Sequence, residues 1–280
     1  MSLIIAGVPI GNAQDASPRL INSIKSAQVI AAEDTRKFQR LCKDLGIEVG
    51  AKVVSYFEGN ESERTEKLVA ELIGGTKLLL VTDAGMPSVS DPGYQLVEAA
   101  IEKGIEVEII PGPSAVTTAI AISGLPSEKF TFEGFLPRTE NSRESELEKL
   151  RFEARTMVFF EAPHRIRETI LAMEKIFGAN RRACICRELT KTYEEIIRGN
   201  LNDLQNWVES KEMLGEFTIV VEGASKGFKE HTNSELVALV LKYEDAGMNR
   251  KEAIAEVATI TGLPKRNVFS AMVEAKSPLE

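Results

Sequence analysis

From Leu3 to Ile110 short β-branched runs alternate with amphipathic helical patterns, and this alternation restricts the first part of the chain to parallel-sheet α/β construction. Leu3 to Ala6 reads as a strand. Ser17-Pro18 then supplies an N-cap and a first-turn proline before Leu20, Ile21, Ile24 and Ala27, which recur at helical spacing. Val29 to Ala32 is a second strand. Phe38, Leu41 and Leu45 mark a helix stopped by Gly46, and Val53-Val54 a third strand. Leu68, Val69 and Leu72 form the stripe of another helix, which gives way at Gly74-Gly75 to the apolar run Lys77 to Thr82, a buried central strand. A helix around Gln95 to Glu102 and a strand from Ile105 to Ile110 follow. Pro111-Gly112-Pro113-Ser114 then punctuates the chain, so the first domain is placed at 1–112.

A second α/β domain is expected at 113–224, with strands at Phe130 to Glu133, Met157 to Glu161, Ala183 to Cys186, Glu195 to Arg198 and Phe217 to Val221. The closeness of the last two along the chain predicts a mixed sheet with antiparallel strands. Gly223 to Thr232 reads as a linker, and 232–280 as a small helical domain. There Leu236, Leu239, Val240 and Tyr243 share one face, as do Ala253, Ile254, Val257 and Ala258. A turn at Gly262-Leu263-Pro264 leads to Val268, Met272 and Val273. Two helices on a short glycine-containing turn resemble a helix-turn-helix, with Lys265, Arg266 and Asn267 where a recognition helix begins. Six basic and seven acidic side chains in 232–280 leave two roles open, RNA docking and packing in a dimer; the reading preferred is docking.

The 280 residues, 43% hydrophobic and 27% charged, can bury real cores. The first residues form no signal peptide, and no apolar run approaches a membrane span, so the expected location is the cytoplasm. Cys42, Cys184 and Cys186, with His164 and His231, match neither a disulfide framework nor a zinc pattern; buried thiols and no metal are expected. A net charge of −8 argues against sequence-blind coating of nucleic acid, yet leaves room for a local basic surface.

Four loops follow predicted strands, where ligands of open α/β sheets bind. They are Gly7 to Asn12, Asp83 to Gly93, Pro111 to Ala115 and Gly134 to Arg138. The second, with two prolines, two glycines and two aspartates, is longer than a plain strand-to-helix link requires. Its Asp91-Pro92 also reads as the start of the next helix.

These loops, in this order, resemble the tetrapyrrole methylase superfamily of S-adenosylmethionine-dependent methyltransferases. More closely, AAEDTR (31–36), DAGMPSVSDPGY (83–94), PGPSA (111–115), GFLPR (134–138), EAPHR (161–165) and RELTKTYEE (187–195) are similar to the ribosomal RNA small subunit methyltransferase I family. The resemblance implies a two-domain fold with S-adenosylmethionine in the cleft between domains. It implies 2′-O-methylation of a cytidine near the decoding centre of 16S rRNA in the small subunit, and a homodimer. Carried over position by position, it makes Pro9, Ala84, Gly85, Met86, Val89, Ser114, Ala115, Glu161 and Leu189 neighbours of the cofactor. Two departures stand out. Met86 occupies a position where the family often has threonine, and the run Phe57-Glu58-Gly59-Asn60-Glu61 lacks the histidine that commonly precedes the Asn-Glu pair.

Methyl transfer to oxygen is an in-line displacement that needs positioning and no metal, but a ribose hydroxyl gains from a base or from a cation beside the developing alkoxide. The polar candidates are Asp91, Glu133, Glu188 and Lys191. Each also has a structural reading, Asp91 as a helix cap and Glu188 with Lys191 as a surface pair. The basic cluster Arg36, Lys37 and Arg40, with Arg138, Arg165, Arg167, Arg187 and Lys191, is a candidate to line a phosphate groove, against the alternative of a solvated mixed-charge surface. Competing functions are a methyltransferase of the same fold acting on a corrinoid precursor or a protein side chain, and a nucleotide-binding module without catalysis.

Overall fold

The computed structural model describes residues 2–224, 232–261 and 263–275. The expected linker segment 225–231 and Gly262 of the expected tail turn lie outside the described residues. The described chain divides into two compact units, one of residues 1–148 and 156–222, the other of residues 149–155 and 223–280.

The larger unit begins with five parallel strands, β1 (Ser2–Ala6), β2 (Val29–Ala32), β3 (Lys52–Ser55), β4 (Lys77–Val81) and β5 (Glu106–Ile110), in the order β3-β2-β4-β1-β5. Helices α1 (Pro18–Ser26), α2 (Thr35–Asp44), α3 (Glu61–Ile73) and α4 (Tyr94–Glu102) make the crossovers. Alternate strand residues face opposite layers. Leu3, Ile5, Leu78 and Leu80 pack on Leu68 and Leu72 of α3 and Leu96 of α4, whereas Ile4, Ile30, Leu79 and Val81 pack on Leu20 and Ile24 of α1 and Phe38 of α2. Both faces of β4 are therefore covered, which is why Leu78 to Val81 reads as a continuous apolar run. Each such side chain contributes ~2 kcal/mol of burial. The order reverses beside β1, so the ends of β1, β4 and β5 open onto one crevice.

Helix α5 (Ala115–Ser123) leads to a second sheet of β6 (Phe130–Phe135), β7 (Thr156–Glu161), β8 (Arg182–Arg187), β9 (Glu195–Asn200) and β10 (Phe217–Val221), in the order β6-β7-β10-β8-β9. Only β6 and β7 are parallel; the other pairs are antiparallel. The mixed sheet is as expected, but β9 and β10 do not pair, because β8 lies between them and the helix α8 (Leu201–Glu209) connects them. One face of this sheet, Val158, Cys184, Cys186 and Val220, buries Val116, Ala119 and Ile120 of α5. Helices α6 (Glu140–Leu150) and α7 (Ile166–Phe177) complete the set, with α7 against α8. Cys42, Cys184 and Cys186 are buried free thiols.

The smaller unit holds α9 (Asn233–Asp245), α10 (Arg250–Thr261) and α11 (Lys265–Glu274) around Leu236, Val240, Ile254, Val257, Val268 and Met272. Thr232 and Glu235 form a capping box at the start of α9. The architecture is the expected one: α/β, with a parallel sheet, a mixed sheet and a helical tail. Among the described residues no helix is long and apolar enough to cross a membrane.

Candidate active site

The four loops meet at one cavity of about 380 Å³ in the larger unit. The first and third loops touch through bare backbone, since a Cβ on Gly112 would lie 2.7 Å from backbone atoms of Gly7. The first and second loops are stitched by Val8 N donating to Gly85 O (2.9 Å) and Gly85 N to Val8 O (3.2 Å). Gly85 sits at φ +74°, left-handed backbone that glycine adopts without strain, and a Cβ there would meet only ordinary contacts. Gly85→Val is therefore expected to distort the loop rather than the core. Titration calorimetry should show loss of S-adenosylmethionine binding in a variant that still unfolds cooperatively, and unchanged affinity would remove this loop from the site.

A buried polar node holds the second loop in place. Glu61, 8% exposed, accepts from Tyr56 OH (3.1 Å) and from Gly93 N (2.9 Å), while Tyr56 OH also contacts Thr65 Oγ1 (2.9 Å). Asn60 accepts from Phe57 N and donates to Ser55 O. The Asn-Glu pair thus shapes the site without entering it. Helix α4 starts at Tyr94 with Gly93 as its uncapped N-cap, which corrects the reading of Asp91 as a helix cap. Asp91 lines the cavity instead.

The cavity wall combines apolar Ile10, Phe135 and Phe160 with carboxylates. Of the expected cofactor neighbours, Ala84, Gly85, Met86, Val89, Ser114, Ala115, Glu161 and Leu189 line it. Pro9 is buried but does not. Lysine and acid side chains interlock at the rim: Lys37 Nζ lies 2.8 Å from Asp83 Oδ2, Asp83 N donates to Glu33 Oε2 (3.0 Å), and Asp34 N donates to Asp83 Oδ1 (3.0 Å). Burial, reinforced by the charges of Glu33, Asp83 and Glu216, pushes the Asp91 carboxyl up to about 7, with Lys37 opposing. Burial likewise raises Glu33, partly offset by the Asp83 amide.

The other catalytic candidates divide. Burial acts to raise Glu188, but Lys191 and the Glu216 amide outweigh it and hold the carboxyl below its usual range. Lys191 donates to Glu188 Oε1 and Glu216 Oε2, both 2.9 Å, and these partners keep it above the usual lysine range despite burial. The pair is half-buried, at 17% and 28% side-chain exposure, so the surface-pair reading is corrected too. The lowered Glu188 carboxylate is a weak base, and Lys191, held as a cation, has no lone pair with which to accept a proton. Glu133 is the extra residue of a bulge in β6 and does not line the cavity.

Ser88, Ser90, Glu188 and Thr190 adopt left-handed backbone without being glycine, and all four belong to the second loop or to the 187–195 segment. Strain of this kind concentrates at functional sites. These two segments flank the cavity from opposite sheets, and Asn12 N donates to Thr190 Oγ1 (3.1 Å) to bring the first loop against the latter.

Among the basic candidates, Arg165 is corrected. Its side chain is 13% exposed, lies 3.3 Å from Glu161 and donates to the carbonyls of Leu136 (2.6 Å) and Pro137 (3.1 Å), so it is spent inside the fold. Glu161 is held from the other side by Ala162 N and Thr169 Oγ1. Arg36 is exposed and chelates Asp34, Arg138 is exposed, and Lys265 and Arg266 lie on α11 of the smaller unit. Glu33, Lys37, Glu216 and Thr218 reach the cavity from three elements or their ends, β2, α2 and β10, and no single segment of sequence announces them.

Residues 2–205 match the family model described as tetrapyrrole (corrin/porphyrin) methylases. The ribosomal RNA small subunit methyltransferase I of Mycobacterium tuberculosis (strain CDC 1551 / Oshkosh) is 44% identical over 276 residues, covering 98% of this chain and 95% of that one. The chain belongs to the ribosomal RNA small subunit methyltransferase I family of tetrapyrrole methylases. Another relative of that name, from Thermotoga maritima, is 43% identical over 221 residues, 98% of its own length but 79% of this chain, leaving about one-fifth of the present methylase without a counterpart. Among solved structures, the methyltransferase CobJ superposes with a TM-score of 0.61 at 17% identity, covering 82% of this chain and 97% of its own, a likeness of fold alone.

Proposed function

We propose that this methylase binds S-adenosylmethionine in the 380 Å³ cavity and methylates the ribose 2′-hydroxyl of a cytidine in 16S rRNA, near the decoding centre of the small ribosomal subunit. The observation that carries the reading is Asp91, a carboxyl poised near 7 on the wall of the cavity formed by the methylase loops. The names of the relatives support rRNA of the small subunit as the acceptor.

The residues present suit the cofactor. The volume falls within the range of small-molecule sites, and the wall offers bare backbone at Gly85. Apolar Ile10, Met86, Val89 and Leu189 complement its rings, and the excess of carboxylates complements a cationic ligand. When bound, S-adenosylmethionine supplies a methyl group on an electrophilic sulfonium. Asp91 accepts the proton of the ribose hydroxyl, and its pKa near 7 lets it do so at neutral pH while still binding that proton well. Lys37 supplies positive charge on the same wall, beside the oxygen on which negative charge develops. Lys191 locks Glu188 and Glu216 in place and acts as a positioning residue.

In this division of labour 1–112 and 113–224 are the two halves of the methyl-transfer unit, and 232–280 docks RNA through Lys265 and Arg266, with Arg36 and Arg138 as further phosphate contacts. The enzyme acts as a homodimer, which light scattering tests as twice the chain mass of 30.8 kDa. The reading as a whole is tested by incubation with labelled S-adenosylmethionine and, separately, 30S subunits, free 16S rRNA and total protein. Label in rRNA is expected; label confined to protein or small molecules would overturn it.

A further inference from the structure

The smaller unit has a cavity of its own, about 880 Å³, between the starts of α10 and α11. Helical spacing gathers its lining. Arg250, Lys251, Ile254 and Ala255 repeat on one face of α10, and Lys265, Arg266 and Phe269 on one face of α11. The balanced charge of the tail is thereby sorted in space. Glu244 is taken up by Arg250, 2.6 Å away, and Glu252, which also lines the cavity, is turned to its own helix start, where it and Asn249 cap each other. Lys251, Lys265 and Arg266 have no carboxylate partner among the described residues. Between them Phe269 stands 58% exposed, although the core of the unit is already closed by Val268, Ala271 and Met272 beside it.

Three unpaired cations around an exposed aromatic ring in a concave surface combine two kinds of affinity, charge for phosphate and a flat face for a base. A duplex offers phosphates but keeps its bases stacked, so it uses only the first; an unstacked strand uses both. We propose that this cavity binds single-stranded RNA, with one base stacked on Phe269 and the flanking phosphates held by Lys251, Lys265 and Arg266. The proposal rests on the reading of the tail as an RNA-docking element and specifies what it docks. An acidic protein would pair with the cations and leave Phe269 unused, which makes that occupant separable by experiment.

The test uses the full-length protein and fluorescence anisotropy with a short labelled single-stranded RNA, the corresponding duplex, and polyglutamate as competitor. Phe269→Ala is expected to weaken single-strand binding about tenfold, within the range of a lost base stack, whereas Phe269→Tyr binds like the parent. The triple variant K251Q/K265Q/R266Q should flatten the dependence of log Kd on log salt by about two units. Both changes lie on exposed side chains, and circular dichroism confirms the fold. Parental affinity in Phe269→Ala, equal binding of duplex, or equal competition by polyglutamate would each overturn the proposal. Failure of the methylation reading would appear separately, as absence of label in rRNA from a protein that still binds the single strand.

Discussion

Replacing Asp91 by asparagine is expected to lower kcat by about 10²–10⁴-fold while S-adenosylmethionine affinity changes little, since asparagine keeps the shape but cannot take a proton. The dependence on pH makes this specific. In the parent, kcat/KM should rise with pH through an apparent pKa near 7 and level off above it; in Asp91→Asn that limb should vanish. Stability carries the same signature with opposite benefit. The folded protein binds the Asp91 proton more tightly than the unfolded chain, so Asp91 penalises folding increasingly as pH rises from about 4 to about 7. Asp91→Asn should therefore be more stable than the parent at pH 8, by ~2 kcal/mol after allowance for partial solvation, and the gap should close towards pH 4. Thermal unfolding across that range measures it. An unchanged limb in the rate profile would assign the proton to another group.

The second large effect concerns the tail. Truncation after residue 224 removes α9 to α11 together with the core they share and leaves all residues lining the 380 Å³ cavity in place. Affinity for S-adenosylmethionine should be preserved, and methylation of 30S subunits should fall at least tenfold in kcat/KM, mostly through KM, as expected when several phosphate contacts are lost. A truncated protein that methylates subunits like the parent would make the tail a structural element.

Much of the architecture could be read from the residues because periodicity reports burial directly. The strand Phe217–Val221 is buried throughout and apolar but for Thr218, and Ser17-Pro18 begins α1 as its chemistry dictates. The helix between β9 and β10 is absent from the sequence reading above, although Asn200 and Asp203, which form a capping box at its start, are a visible signal for it. The site was legible as loops and only partly as side chains. Asp91 looks like a cap because Asp before Pro commonly is one; the helix starts later because Gly93, at φ +143° and bonded to Glu61, carries the turn. Arg165 looks like a phosphate ligand because the buried Glu161 that claims it stands four residues earlier at the end of β7, where a sequence cannot show that the carboxylate is fully enclosed. Glu33 and Glu216, which help to set the Asp91 proton, are separated by most of the larger unit and meet only when two sheets fold together.

The central claim is best tested on the product. After reaction of the methylase with labelled S-adenosylmethionine and 30S subunits, the 16S rRNA is isolated, hydrolysed with alkali and digested to nucleosides. A methyl group on the 2′-oxygen blocks alkaline cleavage at that nucleotide, so label is expected in an alkali-resistant dinucleotide that yields 2′-O-methylcytidine. Label in an alkali-sensitive nucleotide carrying a methylated base would contradict the account.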